Sequence, residues 1–318
     1  MKKILTLVLA LAMIFACSVP AWALSDTSST YTQSAIEDAS ESPSSMTVYL
    51  SIQSDYVGGY AIDRGYYTVS MASSDYTDGV CRVGDVLRKA ASTYSWLKFY
   101  NSSGTYLSGG PSDYVYGVAD TTVNSGNTIF TPLTSINSRV GWMFRVNRKY
   151  VLLDSEDYPY GYSVSDSGPC GAAIEEAIVN SGDKIDLYYA NAGDSSYCTN
   201  KIYIEPIVNS SGKYGIKIWS SYSWYDTQAN NWYWHIDTNG TTSAPSYAIV
   251  PSTSFSISVD GTTATYTTNS SGNIYFSNLT SGSGSHTIKV YPTYTYYSDG
   301  TIYYGVPKYT GMSVSFTL

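Results

Sequence analysis

Apolar and polar residues alternate along short segments over most of this chain. The first segment carries apolar side chains at Met46, Val48, Leu50 and Ile52, with polar or aromatic side chains between them. Because successive side chains of a strand point to opposite faces, this period of two predicts a half-buried β-strand. Similar short runs recur after residue 200, separated by Gly, Asn and Ser. The chain is therefore predicted to be mainly β.

One helix interrupts this pattern in the first half of the chain. The segment VGDVLRKAA at residues 83–91 has helical spacing, Asp85 can cap its start, and Lys89 suits its end. Strands are predicted around it, which gives a small α+β unit with one helix packed on a sheet. Their ranges are 46–52, 97–100, 114–118, 141–146, 150–153 and 185–189.

The second half predicts an Ig-like or transthyretin-like β-sandwich, because its strands are short and its turns closely spaced. Asp260-Gly261 lies between two alternating runs and is a strong hairpin signal. The predicted strands cover 201–208, 214–219, 231–236, 255–259, 262–267, 274–277, 287–291 and 312–318.

The start of the chain indicates export. Lys2 and Lys3 precede a short apolar run, and the residues before Leu24 end in Ala-Trp-Ala, so residues 1–23 are predicted to be a signal peptide. Cys17 offers the alternative of a lipid anchor. Residues 24–45 are rich in Ser and Thr and are predicted to form a disordered spacer. Two domains follow, at 46–195 and 196–318, with the joint at residues 191–196.

The order of three motifs resembles the transcobalamin-like C-terminal domain, a β-rich module of secreted and surface-attached bacterial proteins. They are the helical segment at 83–91, GWMFRVN at 141–147 and GDKIDLYY at 182–189. The resemblance covers residues 46–190. Arg148 stands where the family has Gly in its hairpin, and the stretch 163–180 is longer than the family norm. The resemblance implies a binding module in which loops near Trp142 would cover a corrinoid, but the chain lacks the helical barrel that holds cobalamin in transcobalamins.

Composition and charge narrow the function classes. The net charge is −8 and becomes more negative once the two leader lysines are removed, so nucleic acid is a poor partner. Tyrosine is abundant, with 34 Tyr against 7 Phe. Tyr buries a ring and leaves its hydroxyl in water, which suits an extracellular β protein. After the leader, no segment is apolar enough to span a membrane.

Three cysteines follow the predicted leader. Cys170 and Cys198 flank the last strand of the first domain and are predicted to form a disulfide in an oxidising compartment, with Cys81–Cys170 as the alternative pairing. Cys81 precedes the helix and is predicted to be a small buried residue.

We find no pattern that indicates an enzyme, a cofactor or a metal site. The two histidines, His235 and His286, are predicted to be solvent-facing strand residues with no cysteine at metal-ligand spacing. No Gly-x-Ser-x-Gly segment supports a nucleophile, and Glu175 and Glu176 are adjacent, so they cannot face each other across a glycosidic bond.

Clustered aromatic residues are the candidate ligand-binding positions. Paired rings can stack on a sugar or on a flat macrocycle, although Trp232 and Trp234 would equally suit a sandwich core. The chain is therefore predicted to be a secreted or cell-surface, non-catalytic binding module for a corrinoid or a glycan, or alternatively a structural, adhesin-like spacer. The candidate residues are Trp142, Tyr158, Tyr160, Tyr162, Trp232 and Trp234.

Overall fold

The computed structural model describes most of the chain in thirteen segments. These are residues 42–55, 62–112, 114–123, 140–147, 173–191, 200–221, 225–226, 231–232, 235–236, 242–243, 248–279, 284–298 and 303–317. The predicted signal peptide, Cys17, the predicted strand 150–153, and Cys170 and Cys198 lie outside them.

Among the described residues, the N-terminal elements are six strands and one α-helix. They are β1 (Ser45–Ser54), β2 (Ile62–Ala72), α1 (Val83–Thr93), β3 (Leu97–Tyr100), β4 (Gly117–Asp120), β5 (Val140–Val146) and β6 (Lys184–Asn191). A 3-10 turn at Ser73–Asp75 follows β2.

Four of these strands form one mixed sheet, the N-terminal sheet, in the order β2-β1-β6-β5. β1 pairs antiparallel with β2 and parallel with β6, and β6 pairs antiparallel with β5. The residues of β1 that the alternation places on one face, such as Leu50 and Ile52, are fully buried in the first hydrophobic core. The first core is thus formed by one face of the N-terminal sheet.

Helix α1 covers that apolar face. Val83, Val86, Leu87 and Ala90 are fully buried and belong to the first core. The helix begins two residues before Asp85, whose carboxylate accepts a hydrogen bond from the Arg82 backbone N–H at 2.9 Å. Asp85 therefore caps the helix from inside its first turn, where an acidic side chain also favours the positive end of the helix dipole.

The first residues of the fold correct one boundary. The predicted spacer 24–45 includes Ser42, whose hydroxyl accepts a hydrogen bond from the Cys81 backbone N–H at 2.9 Å, and Ser45, where β1 begins. Residues 42–45 therefore belong to the folded unit. The rest of the predicted spacer lies outside the described residues.

The C-terminal elements are fourteen short strands among the described residues. They are β7 (Lys201–Val208), β8 (Tyr214–Ser221), β9 (Tyr225–Asp226), β10 (Asn231–Trp232), β11 (His235–Ile236), β12 (Thr242–Ser243), β13 (Ala248–Ile249), β14 (Ser254–Val259), β15 (Thr262–Thr267), β16 (Asn273–Tyr275), β17 (Ser285–Val290), β18 (Thr293–Ser298), β19 (Tyr303–Tyr309) and β20 (Met312–Thr317).

Two of the sheets they form pack into a sandwich. One has the order β13-β8-β16 with β7 also paired to β8, and the other has the order β15-β14-β17-β20. Ile216 and Ile218 of the first share a second hydrophobic core with Ile257 and Ile288 of the second. Each sheet buries its alternating apolar residues against the other, as a sandwich requires. The described chain is mainly β, which confirms the predicted fold class.

The hairpin signal at Asp260-Gly261 is also confirmed. These two residues connect β14 and β15 with φ values of 50° and 86°. Both lie in the left-handed region that two-residue hairpin turns need, and Asp and Gly tolerate it best.

Three expectations differ from the structure. The segment 231–236 contains two separate strands, β10 and β11, that pair with different partners. The strand positions also differ: β2, β9, β12, β13, β18 and β19 were not predicted, and the strand predicted at 114–118 is β4, which begins at Gly117. His286 is buried, and its Nδ1 lies 2.6 Å from a carboxylate oxygen of Asp260, so the prediction of a solvent-facing histidine was wrong. Apart from its first residue, the predicted joint at 191–196 lies outside the described residues, and the two-domain division stays a prediction.

Candidate functional site

Trp142 is the one predicted binding residue whose side chain the structure describes. It lies half-buried on β5, and its ring meets the edge of Tyr189 with centroids 5.6 Å apart. Together with Phe144 and Val146 it packs against the first core, as the alternation in GWMFRVN predicts. Trp142 therefore contributes to the core of the N-terminal unit.

The other predicted positions stay predictions. Tyr158, Tyr160, Tyr162 and Trp234 lie outside the described residues. Trp232 ends the two-residue strand β10, which pairs with β9.

The second face of the N-terminal sheet carries an unusual group of buried polar residues, which we call the polar junction. β1 places Ser51 and Gln53 on this face, opposite Leu50 and Ile52, and Asp55 follows directly after the strand. β5 and β6 add Arg145 and Asp186, which pair with each other, and Tyr188, which lies two residues further along β6. All six are at most 8% exposed because β7 and the turn before β20 cover them.

Asp186 is the centre of the polar junction. Its Oδ1 accepts hydrogen bonds from the Ser51 hydroxyl at 2.6 Å and the Tyr66 hydroxyl at 2.8 Å. Its Oδ2 accepts one from the Tyr203 hydroxyl at 3.0 Å, and Tyr203 belongs to β7. Three donors from three strands therefore satisfy this buried carboxylate, and one of the bonds joins the N-terminal sheet to the sandwich.

Two cations, Arg145 and Lys201, are buried beside Asp186. Arg145 donates from Nε to the Tyr188 hydroxyl at 2.9 Å, and its guanidinium lies 5.7 Å from the centre of that ring. Lys201 of β7 donates from Nζ to the Gln53 side-chain oxygen. Burial lowers the pKa of Lys201, while the nearby Asp186 and Asp55 carboxylates oppose that shift by favouring its charged form.

Asp55 closes the junction at its other end. Its Oδ2 accepts hydrogen bonds from Gln53 Nε2 at 2.6 Å and from the Gly311 backbone N–H at 2.8 Å. Gln53 Nε2 also donates to the Gly311 carbonyl oxygen. Burial raises the pKa of the Asp55 carboxyl to about 6, although the Gly311 N–H and Lys201 act in the opposite direction.

The polar junction is suited to holding two units in one orientation. It brings two carboxylates, Asp55 and Asp186, together with two cations, Arg145 and Lys201, and hydrogen bonds are directional, so a shifted arrangement would leave buried charges poorly satisfied. Among the described residues, no group of three His, Cys, Asp or Glu side chains could hold a metal ion. Sequence reasoning missed the junction because a polar residue at every second position of a strand normally indicates solvent.

A second feature lies on the surface, in the connection between β3 and β4. Tyr106, Tyr114 and Tyr116 are 43%, 66% and 39% exposed. Tyr106 lies beside Tyr100 with ring centroids 5.9 Å apart, and Tyr114 and Tyr116 are 6.1 Å apart. We call these four residues the tyrosine surface.

The connection that carries the tyrosine surface is held by hydrogen bonds. Asn101 Oδ1 accepts from the backbone N–H groups of Ser103 at 3.1 Å and Thr105 at 2.8 Å. Further along, the Pro111 carbonyl accepts from Arg88 Nη1 of α1 at 3.2 Å. The tyrosines therefore stand on a connection that is tied to the helix.

Cys81 is a buried free thiol, so the prediction that it is a small buried residue is confirmed, and the alternative pairing with Cys170 is not present.

No protein-family model, curated protein or solved structure matches this chain. In the part of the chain that the structure describes, no helix has the length and apolarity to cross a bilayer. Membership of the transcobalamin-like family therefore stays a prediction that rests on the three motifs.

Proposed function

We propose that this chain is a secreted or cell-surface, non-catalytic binding module that holds a glycan on the tyrosine surface. The observation that carries the proposal is the concentration of exposed rings in one connection: three of the four large apolar or aromatic side chains that are markedly exposed among the described residues are Tyr106, Tyr114 and Tyr116. Tyr offers a rigid ring and a hydroxyl at little cost in conformational entropy, which makes it a common recognition residue.

The charge of this segment supports a neutral ligand. From Lys98 to Val118 the only charged residues are Lys98 and Asp113, and the rest is rich in Ser, Gly and Tyr. Such a surface offers hydroxyl groups and ring faces, as sugar rings require. Its one cation, Lys98, already contacts Tyr106, with Nζ 5.1 Å from the ring centre and 3.4 Å from the hydroxyl.

Ring geometry supports a glycan over a corrinoid. The planes of Tyr114 and Tyr116 meet at 55°, and those of Tyr100 and Tyr106 meet at 58°. Tilted rings do not form one flat platform for a planar macrocycle, whereas a sugar can stack on a single exposed ring such as Tyr114, which is 66% exposed.

A glycan array with the mature protein tests this proposal, followed by titration of any glycan that binds. Replacing Tyr114 and Tyr116 together by Ser should weaken binding at least 30-fold, since a residue central to recognition contributes about 2 kcal/mol. Val208→Ser is the matched control, because Val208 is 57% exposed and lies on β7, away from the β3–β4 connection. A titration with cobalamin tests the corrinoid alternative, since binding would change the absorption spectrum of cobalamin.

The outcomes separate the candidates. Equal binding by the double variant and the parent would place the ligand elsewhere, and a spectral change with cobalamin would favour the corrinoid. Absence of binding to any glycan would leave the structural spacer, which the polar junction favours because it fixes two β units in one orientation.

A further inference from the structure

The polar junction contains a carboxyl group in an unfavourable place for a charge. Asp55 is buried, and both groups that hydrogen-bond to it, the Gln53 amide and the Gly311 backbone N–H, are neutral. Among the described residues, no Lys, Arg or His lies within ion-pair distance of it. Removing a carboxylate from water without a direct counter-ion favours its neutral form.

This carboxyl group lies where the two β units meet. Asp55 follows β1 of the N-terminal sheet, whereas Gly311 lies in the turn between β19 and β20. Gln53 donates to the Gly311 carbonyl, so the Gly311 peptide groups are held through both N–H and C=O. Separating the units would expose Asp55 to water and remove the cause of its unfavourable ionisation.

We propose that Asp55 is a proton-dependent latch, which holds the two β units together more tightly in mild acid than at neutral pH. Asp55 takes up a proton when the junction is closed, and it releases this proton when the carboxyl group reaches water. The inference does not depend on the ligand of the tyrosine surface.

The charged groups around Asp55 influence its ionisation in opposite directions. Lys201 of β7 and Lys289 of β17 favour the carboxylate, and Asp63 of β2 opposes it. Lys289 already pairs with Asp63 at 2.6 Å, and Lys201 is shared with Asp186, so neither cation is dedicated to Asp55. Arg145 also faces Lys201 and disfavours its charge. Burial remains the largest influence on Asp55.

The direction of the pH effect follows from linkage. The folded pKa of Asp55, about 6, lies above its ordinary value of 3.8. Between these values the folded protein keeps a proton that the unfolded chain has lost, so stability decreases as the pH rises through this window. For this group alone, the ratio of folded to unfolded protein should be about tenfold higher at pH 5.0 than at pH 7.5.

Urea unfolding of the full chain at pH 5.0 and 7.5 tests the latch, with Asp55→Asn as the variant. Asn keeps an oxygen that can accept both hydrogen bonds, but it cannot titrate. On acidification from pH 7.5 to 5.0, the ratio of folded to unfolded protein should therefore increase about tenfold more in the parent than in the variant. Asp78→Asn is the matched control, because Asp78 is exposed, lies before α1 and is not among the groups that influence Asp55. Asn tolerates its positive φ of 53°, so this variant should keep the parental pH dependence. Identical pH dependence in the parent and Asp55→Asn would overturn the proposal.

A second measurement covers the case in which Asp55→Asn does not fold. In the full-length parent labelled with ¹³C at the Asp carboxyl carbons, one signal should titrate near pH 6 while the protein stays folded. If every Asp signal titrates below pH 5, the latch does not exist.

Discussion

Asp186 is the residue whose loss tests the polar junction most directly. Replacing it by Ala removes the acceptor for the hydroxyls of Ser51, Tyr66 and Tyr203, which bond to it at 2.6, 2.8 and 3.0 Å. The change also removes one of the two buried carboxylates near Lys201. Breaking a buried charged network from one side costs about 3–5 kcal/mol, because the groups left behind stay desolvated.

This cost is large compared with the stability of a typical protein, about 5–15 kcal/mol. It corresponds to a decrease in Tm of roughly 6–20 °C for a folded region of this size. Urea unfolding at pH 7, followed by tryptophan fluorescence, measures the loss in free energy of unfolding. Tyr203→Phe is the graded control, since it removes one of the three bonds and should cost about 1 kcal/mol.

Two results would refute this reasoning. A loss below about 1 kcal/mol for Asp186→Ala would mean that water or rearranged side chains replace the carboxylate without difficulty. Equal losses for Asp186→Ala and Tyr203→Phe would mean that the single bond to β7 accounts for the whole effect of the network.

Two further predictions concern packing and thiol chemistry. Gly215→Ala should destabilise the sandwich by about 1–3 kcal/mol, because the added Cβ would overlap the Ile274 carbonyl oxygen. Gly65→Ala is the control: its Cβ would have no atom within 4 Å, so the change should be near neutral in the same unfolding assay. A similar loss for both would show that overlap with the Ile274 carbonyl oxygen is not responsible. Burial raises the pKa of the Cys81 thiol to about 12 from an ordinary 9.0. Because the thiolate is the reactive form, iodoacetamide at pH 8 should modify Cys81 about 1000-fold more slowly in the native protein than in urea. Peptide mass spectrometry measures both rates. Comparable rates in both states would contradict its burial.

Local patterns predicted the elements in which one face is apolar. β1, β14 and β17 have buried alternate residues because each supplies one face to a hydrophobic core, and this alternation is visible in the sequence. The bounds predicted for β3, β7 and β15 agree with the structure. The Asp260-Gly261 turn was predictable for a similar reason, since its positive φ values restrict the residue type.

Other elements carried a weaker signal. β2 has Gly65, Tyr66 and Tyr67 in its middle, where its burial pattern departs from alternation, and its pairing with β1 shifts register near Leu50. A tyrosine is compatible with core, surface or interface, so a tyrosine-rich chain gives less information about which face of a strand is buried. The tyrosine surface was missed for the same reason.

The sequence by itself determined the mainly β class, the helix α1, the apolar face of the N-terminal sheet and the hairpin between β14 and β15, because each depends on residues close together in the chain. Only the tertiary structure decided that the opposite face of that sheet is also buried. Asp55 and Gly311 are 256 residues apart, and Asp186 meets Ser51 across 135. Alternation shows which residues share a face, but whether water or another part of the chain covers a polar face depends on long-range packing.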